Sequence, residues 1–140
     1  MKVYLTILMA IMLTTCDNNK EEKIDCTDTI CTMDFRTIAV SLKDNNGNPI
    51  SLDKFKVTSL DNQKDITRDL DNFNLEEARK SGAYPVFGDE LREKYQSKEV
   101  EVLFEGYIEN KKVANLTFLV GADCCHVFLI EGQLEVVLNI

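Results

Sequence analysis

The stretch "TIAVSLKDNNGNPI", residues 37–50, decides the fold class. Ile38, Val40 and Leu42 alternate with Thr37, Ala39, Ser41 and Lys43, the period-two pattern of a strand with one face buried. Asp44-Asn45-Asn46-Gly47-Asn48-Pro49 then ends the strand. Asn and Gly tolerate positive φ, and Pro pre-sets the exit from the turn. Ile50 and Leu52 open a second apolar stretch, which Phe55, Val57 and Ser59 continue as a strand.

Outward from this pair, residues 61–74 are polar and lack a clean period, which predicts a long connection. Asn74 is expected to cap a short helix over Leu75 to Lys80, stopped by Gly82. Ala83 to Phe87 reads as a short strand, with Pro85 pointing to a sheet edge because proline cannot donate to a ladder. Gly88-Asp89 begins a helical or irregular piece through Tyr95. Val100, Val102 and Phe104 alternate with Glu99, Glu101 and Glu105, Glu109-Asn110 marks a tight reversal, and Val113 to Val120 returns. Cys125 to Ile130 and Leu134 to Ile140 are expected to form two further strands around a Glu131-Gly132 turn, with Gly121 turning the chain before them. About seven short strands with helices confined to connections predict an all-β, antiparallel sandwich.

The amino terminus has a different grammar. Lys2, the apolar run Val3 to Leu13, and Thr14-Thr15-Cys16 have the layout of a bacterial export signal. The run is short for a helix of about 20 residues across the hydrocarbon core. Leu-Thr-Thr-Cys resembles a lipobox, with Thr15 where Gly, Ala or Ser is usual, so residues 1–15 are expected to be a lipoprotein signal peptide and Cys16 the lipidated residue. Two acyl chains anchor a protein stably, at about 0.8 kcal/mol per buried methylene. Residues 16–30, beginning Cys-Asp-Asn-Asn-Lys-Glu-Glu-Lys, read as a polar tether, similar to the Lys-plus-acidic tag of Bacteroidota surface lipoproteins. Residues 31–140 form the single expected domain.

"VSLKDNNGNPI", residues 40–50, resembles the first hairpin of the carboxypeptidase-regulatory-like, transthyretin-like sandwich superfamily. "SGAYPV", residues 81–86, is similar to that family's second Gly-X-aromatic strand entry, with Ser81 where an acidic residue is usual. Residues 31–140 as a whole, with "GADCCHV" at 121–127, are similar to Bacteroidota lipoproteins carrying this domain. The resemblance implies an Ig-like or prealbumin-like sandwich with a structural or binding role beside other envelope machinery. It carries no catalytic residues across.

With Cys16 assigned to lipid, Cys26, Cys31, Cys124 and Cys125 remain: an even number in a chain addressed to an oxidising compartment, for which disulfides are the default. A vicinal Cys124–Cys125 bond forces a strained peptide. Consecutive strand residues point to opposite faces, which favours two bridges from the 26–31 segment to a strand beginning at Cys124, in either pairing. Each closes a loop of roughly 90–100 residues, worth up to about 4–5 kcal/mol in the chain-entropy model. A metal- or thiol-dependent site at Cys124, Cys125 and His126 is the alternative. Zinc takes about four N or S ligands, and adjacent strand residues diverge. A Cys–His nucleophile needs its thiolate beside the imidazole, which a shared strand face would give Cys124 and His126, but no acyl-transfer signature surrounds them. Cys-X-X-Cys is absent from the sequence. Asp61, Asp65, Asp69 and Asp71 match no EF-hand spacing, and Glu99, Glu101 and Glu105 look like a solvent face rather than a glycosidase pair.

The net charge of −8 opposes nucleic-acid binding, which needs concentrated Lys and Arg. With no Trp, and four Tyr and seven Phe scattered, there is no stacking platform for carbohydrate. The sequence therefore predicts a non-enzymatic module with no cofactor, held at the outer membrane by its lipid, with a protein of the cell envelope as its partner.

Overall fold

The computed structural model describes residues 25–140. The expected signal peptide, the expected lipidation site Cys16 and the expected tether up to residue 24 lie outside the described residues. The elements are β1 (Thr37–Lys43), β2 (Lys54–Ser59), β3 (Lys64–Asp65), α1 (Asn72–Ser81), β4 (Ala83–Gly88), a 3-10 turn (Asp89–Leu91), α2 (Arg92–Tyr95), β5 (Glu99–Ile108), β6 (Lys111–Ala122), β7 (Val127–Glu131) and β8 (Glu135–Val137). The fold is all-β. A three-stranded sheet of order β4-β1-β8 faces a five-stranded sheet of order β3-β2-β5-β6-β7. All strand pairs are antiparallel except β1 with β8, which is parallel.

The alternation in β1 is realised in burial: Ile38, Val40 and Leu42 enter the core while Thr37, Ala39, Ser41 and Lys43 face outward. The turn after it is built on Asp44, whose Oδ1 accepts from the backbone N–H groups of Asn46 and Asn48, both at 2.8 Å. From the other sheet come Phe55, Val57, Val102, Phe104, Phe118 and Val120. Tyr84 of β4 joins the layers. Its ring lies 5.6 Å from Phe55 and 6.3 Å from Phe104. Its hydroxyl donates to Ile50 O at 2.9 Å and accepts from Leu52 N–H at 2.7 Å. Those two bonds satisfy the backbone where the chain crosses from β1 to β2. Burial pushes the Tyr84 phenol above its usual range.

Four local expectations are corrected. The polar connection at 61–74 contains β3, a two-residue strand paired with Thr58 and Ser59. Main-chain pairing needs no apolar side chains, so no periodicity announces it. Helix α1 is capped by Asp71 rather than Asn74: Asp71 Oδ1 accepts from Asn74 N–H at 2.8 Å, and the helix begins at Asn72. Its first turn carries exposed Phe73, which hides the helical period. Gly82 does end α1, in the left-handed region at φ 70°, and a Cβ there would stand 2.6 Å from the Leu42 carbonyl oxygen.

The last two strands are not a hairpin. At Gly132, φ 129°, the chain leaves the five-stranded sheet and crosses to the other, where β8 lies parallel to β1. A Cβ at Gly132 would reach 2.4 Å from the Phe118 ring, so the crossing hugs the core. Gly121, finally, is no turn residue: it sits inside β6, opposite Phe128, whose ring occupies the space a Cβ would need. Pro85 lies in β4, an edge strand with no neighbour beyond it, as its missing donor requires.

Candidate functional site

The turn between β6 and β7 is Asp123-Cys124-Cys125-His126, closed by the Ala122–Val127 pair. Asp123 organises it. Its Oδ1 accepts from Cys125 N–H at 2.7 Å and His126 N–H at 2.8 Å, and its own N–H donates to His126 O at 3.0 Å. The backbone bonds from His126 and Cys125 hold the Asp123 carboxyl below the usual carboxylate range. Both cysteines and His126 therefore belong to a turn and not to a strand. The expected division of sulfurs between two strand faces does not apply, nor does a shared strand face for Cys124 and His126.

Cys26 is bonded to Cys124 and Cys31 to Cys125, with Cα–Cα separations of 5.4 and 5.2 Å. The partners are 98 and 94 residues apart. The segment from Asp25 to Arg36, here called the arm, contains no helix or strand, and most of its residues are exposed. It is held to the sheets by side chains instead. The Gln96 side-chain amide contacts the Cys26 sulfur beside the first bridge.

Beside the bridges lies a polar clasp. His126 Nδ1 is 2.9 Å from Asp89 Oδ2, and His126 Nε2 is 3.1 Å from the Thr32 hydroxyl. Asp89 also accepts from Val127 N–H through Oδ1 and from Arg36 N–H through Oδ2, both at 2.8 Å, and its own N–H donates to Arg36 O at 3.0 Å. Burial pushes the Asp89 carboxyl up, but the bonds from Arg36, His126 and Val127 outweigh it and leave the group below the usual range. An ionised Asp89 places a proton on Nδ1, and Nε2 lies within hydrogen-bond distance of the Thr32 hydroxyl. One carboxylate thus joins the arm, the 3-10 turn and the β6–β7 turn.

The order hydroxyl–imidazole–carboxylate is that of an acyl-transfer triad, but here each group also ties two chain segments together. Thr32, Arg36 and Asp89 carry no signal in the sequence. Asp89 is 37 residues from His126 and Thr32 is 94, and only the fold brings them into contact.

The other candidate residues are dispersed. Asp65 accepts from the Thr67 hydroxyl and N–H, and Asp71 is spent on α1. Glu99 and Glu101 are exposed on β5, and Glu105 pairs with Lys112 of β6. Among the described residues no group of three or more His, Cys, Asp or Glu side chains is placed to hold a metal ion.

A cavity of about 700 Å³ opens on the outer side of β1 and β4. Small side chains line it from the sheet (Ala39, Ala83, Pro85), and Asn74 and Glu77 line it from α1. At its rim Arg68 donates to the Thr37 hydroxyl at 3.0 Å and stands 5.2 Å from the centre of the Phe35 ring. Among the described residues no helix is long and apolar enough to cross a membrane. No family model, no curated protein and no solved structure matches this chain.

Proposed function

We propose that the protein is an exported lipoprotein, acylated at Cys16, that displays an Ig-like or prealbumin-like sandwich of the carboxypeptidase-regulatory-like type at the outer membrane. Its role is structural or binding, without catalysis, as an accessory part of a cell-envelope assembly. The observation that supports export is the double bridge from the arm to the β6–β7 turn. Disulfides persist in oxidising compartments. These two reinforce the place where a tether from Cys16 enters the folded domain. The cavity between α1 and the outer side of β1 and β4 offers the partner a concave, polar surface.

The alternative, a metal- or thiol-dependent activity at Cys124, Cys125 and His126, requires reduction first. In the bridged form no sulfur is a thiolate, and both ring nitrogens of His126 are engaged.

Metabolic labelling with an alkynyl fatty acid tests the anchor. The wild-type chain takes up label and enters the detergent phase, and Cys16→Ala abolishes both. A wild-type chain that stays unlabelled and soluble overturns the reading. Thiol counting on denatured, unreduced protein separates the two activities: none supports the bridged module, whereas free thiols with bound zinc support the alternative. Capture of an envelope protein by the intact, surface-anchored chain identifies the partner.

A further inference from the structure

Register fixes which side chains share the outward face of the five-stranded sheet, because paired residues and every second residue along a strand lie on one side. At one end, Glu99 and Glu101 of β5 stand opposite Gly121 and Leu119 of β6, and Leu119 stands opposite Glu131 of β7. In the middle, Leu103 lies between Thr58 of β2 and Thr117 of β6. At the other end, Lys56 stands opposite Glu105, and Tyr107 lies between Lys54 of β2 and Lys112 of β6. Glu99, Glu101, Thr117, Lys54 and Lys112 are exposed and Leu103 and Leu119 half-buried, so the described chain leaves this face open.

The face is polarised along its strands. Its carboxylate end is unneutralised: among the described residues Glu99, Glu101 and Glu131 make no ion pair. The far end gathers three lysines. Glu105 pairs with Lys112 there, and Asp65 of β3 feels Lys56 and Lys54, which still leaves the lysines in excess. A matching partner carries a cationic end and an anionic end about one strand length apart, with an apolar stripe between them. The same face of a second copy meets that description. A two-fold axis lying between two such sheets, across their strands, lays each carboxylate end over the partner's lysine end. Leu103 and Thr117 then face their own counterparts. At 3.3–3.4 Å per residue β5 is about 33 Å long, and five strands are about 24 Å wide. The product, about 800 Å² as an upper figure, matches one side of a standard interface.

We propose that the chain forms a two-fold dimer through the outward face of its five-stranded sheet, with Glu99 and Glu101 of each copy against Lys54 and Lys56 of the other. The inference is independent of the acylation of Cys16.

Sedimentation equilibrium of the full chain in density-matched detergent reads the mass. The wild type is expected to show a monomer–dimer equilibrium whose dissociation constant rises about tenfold or more between about 50 and 500 mM salt. Two charge-reversed chains isolate the face: one carries Glu99→Lys and Glu101→Lys, the other Lys54→Glu and Lys56→Glu. Each alone has like charges at both ends and should be monomeric, whereas an equimolar mixture should recover the dimer. Both keep a net negative charge, so overall attraction does not bring them together. A monomeric wild type, a dimer indifferent to salt, or folded variants that dimerise alone or fail to combine would overturn the proposal. Circular dichroism establishes that each variant is folded. Should either not fold, Thr117→Arg, at the exposed centre of the face, replaces it: loss of the wild-type dimer supports the proposal and its persistence sinks it.

Discussion

Asp89 and His126 are 37 residues apart in sequence and 2.9 Å apart in space, with each side chain only 9 % exposed. The carboxylate accepts from three donors on two segments: Arg36 N–H, His126 Nδ1 and Val127 N–H. Asp89→Asn keeps the shape but replaces one acceptor oxygen with an amide that faces a donor. Leaving buried donors unpaired costs about 2–4 kcal/mol here. Urea unfolding should report that loss, and a change below about 0.5 kcal/mol would mean the clasp is peripheral to stability.

Asp89 and Asp123 both titrate below the ordinary carboxylate range in the folded protein. A depressed carboxyl contributes stability above its unfolded value, near 3.9, and loses it as the pH falls towards its folded value. Stability should therefore drop below about pH 4 and be flat with respect to these two groups at neutral pH. The variant carrying Asp89→Asn and Asp123→Asn is expected to be less stable at pH 7 and to have a shallower acid limb. Chemical unfolding at a series of pH values measures both.

The two bridges close nearly the same loop, 98 and 94 residues long. With one in place, the second closes only a small ring through the arm and the turn. In the chain-entropy model, removing either pair costs about 2 kcal/mol and removing both about 7, as an upper figure. The variants Cys26→Ala with Cys124→Ala, Cys31→Ala with Cys125→Ala, and all four together should show this non-additivity in urea. Equal, additive losses would mean that the bridges act separately.

Tyr84 bonds two buried backbone groups at the β1–β2 crossing. Tyr84→Phe keeps the ring packing against Phe55 and Phe104 but leaves Leu52 N–H without its acceptor, at a cost of about 1–3 kcal/mol. A thermal melt unchanged from wild type would mean that water takes over the site.

Helix capping distinguishes two neighbours that look alike in sequence. Asp71→Ala removes the observed cap and should cost about 1 kcal/mol. Asn74→Ala keeps the N–H that Asp71 receives and should cost much less. Paired urea melts decide which residue starts α1.

Much of the fold was legible because β1, β5 and most of β6 alternate cleanly, and because Gly82 and Glu109-Asn110 sit at positions of positive φ. What escaped has physical causes. The strand β3 is a matter of backbone pairing alone, and β8 is assigned to its sheet by the crossing at Gly132, whose neighbour Phe118 is distant in sequence. At the site, Cys26, Cys31, Cys124 and Cys125 were legible as an even set of bridging cysteines, but their pairing depends on a four-residue turn that reads as the start of a strand. The clasp was illegible because Thr32, Asp89 and His126 have no common period or spacing.

The parallel pairing of β8 with β1 has a bearing on biogenesis. β1 is the middle strand of its sheet, and both of its neighbours arrive later in the chain, β8 almost last. Synthesis from the amino terminus delivers β1 as an apolar strand with two open edges. Sheet completion waits until residues 135–137 have emerged. Such late, long-range pairing is slow and leaves strand edges exposed meanwhile. Until that final strand is delivered, the incomplete sheet therefore leaves β1 open to non-native edge pairing.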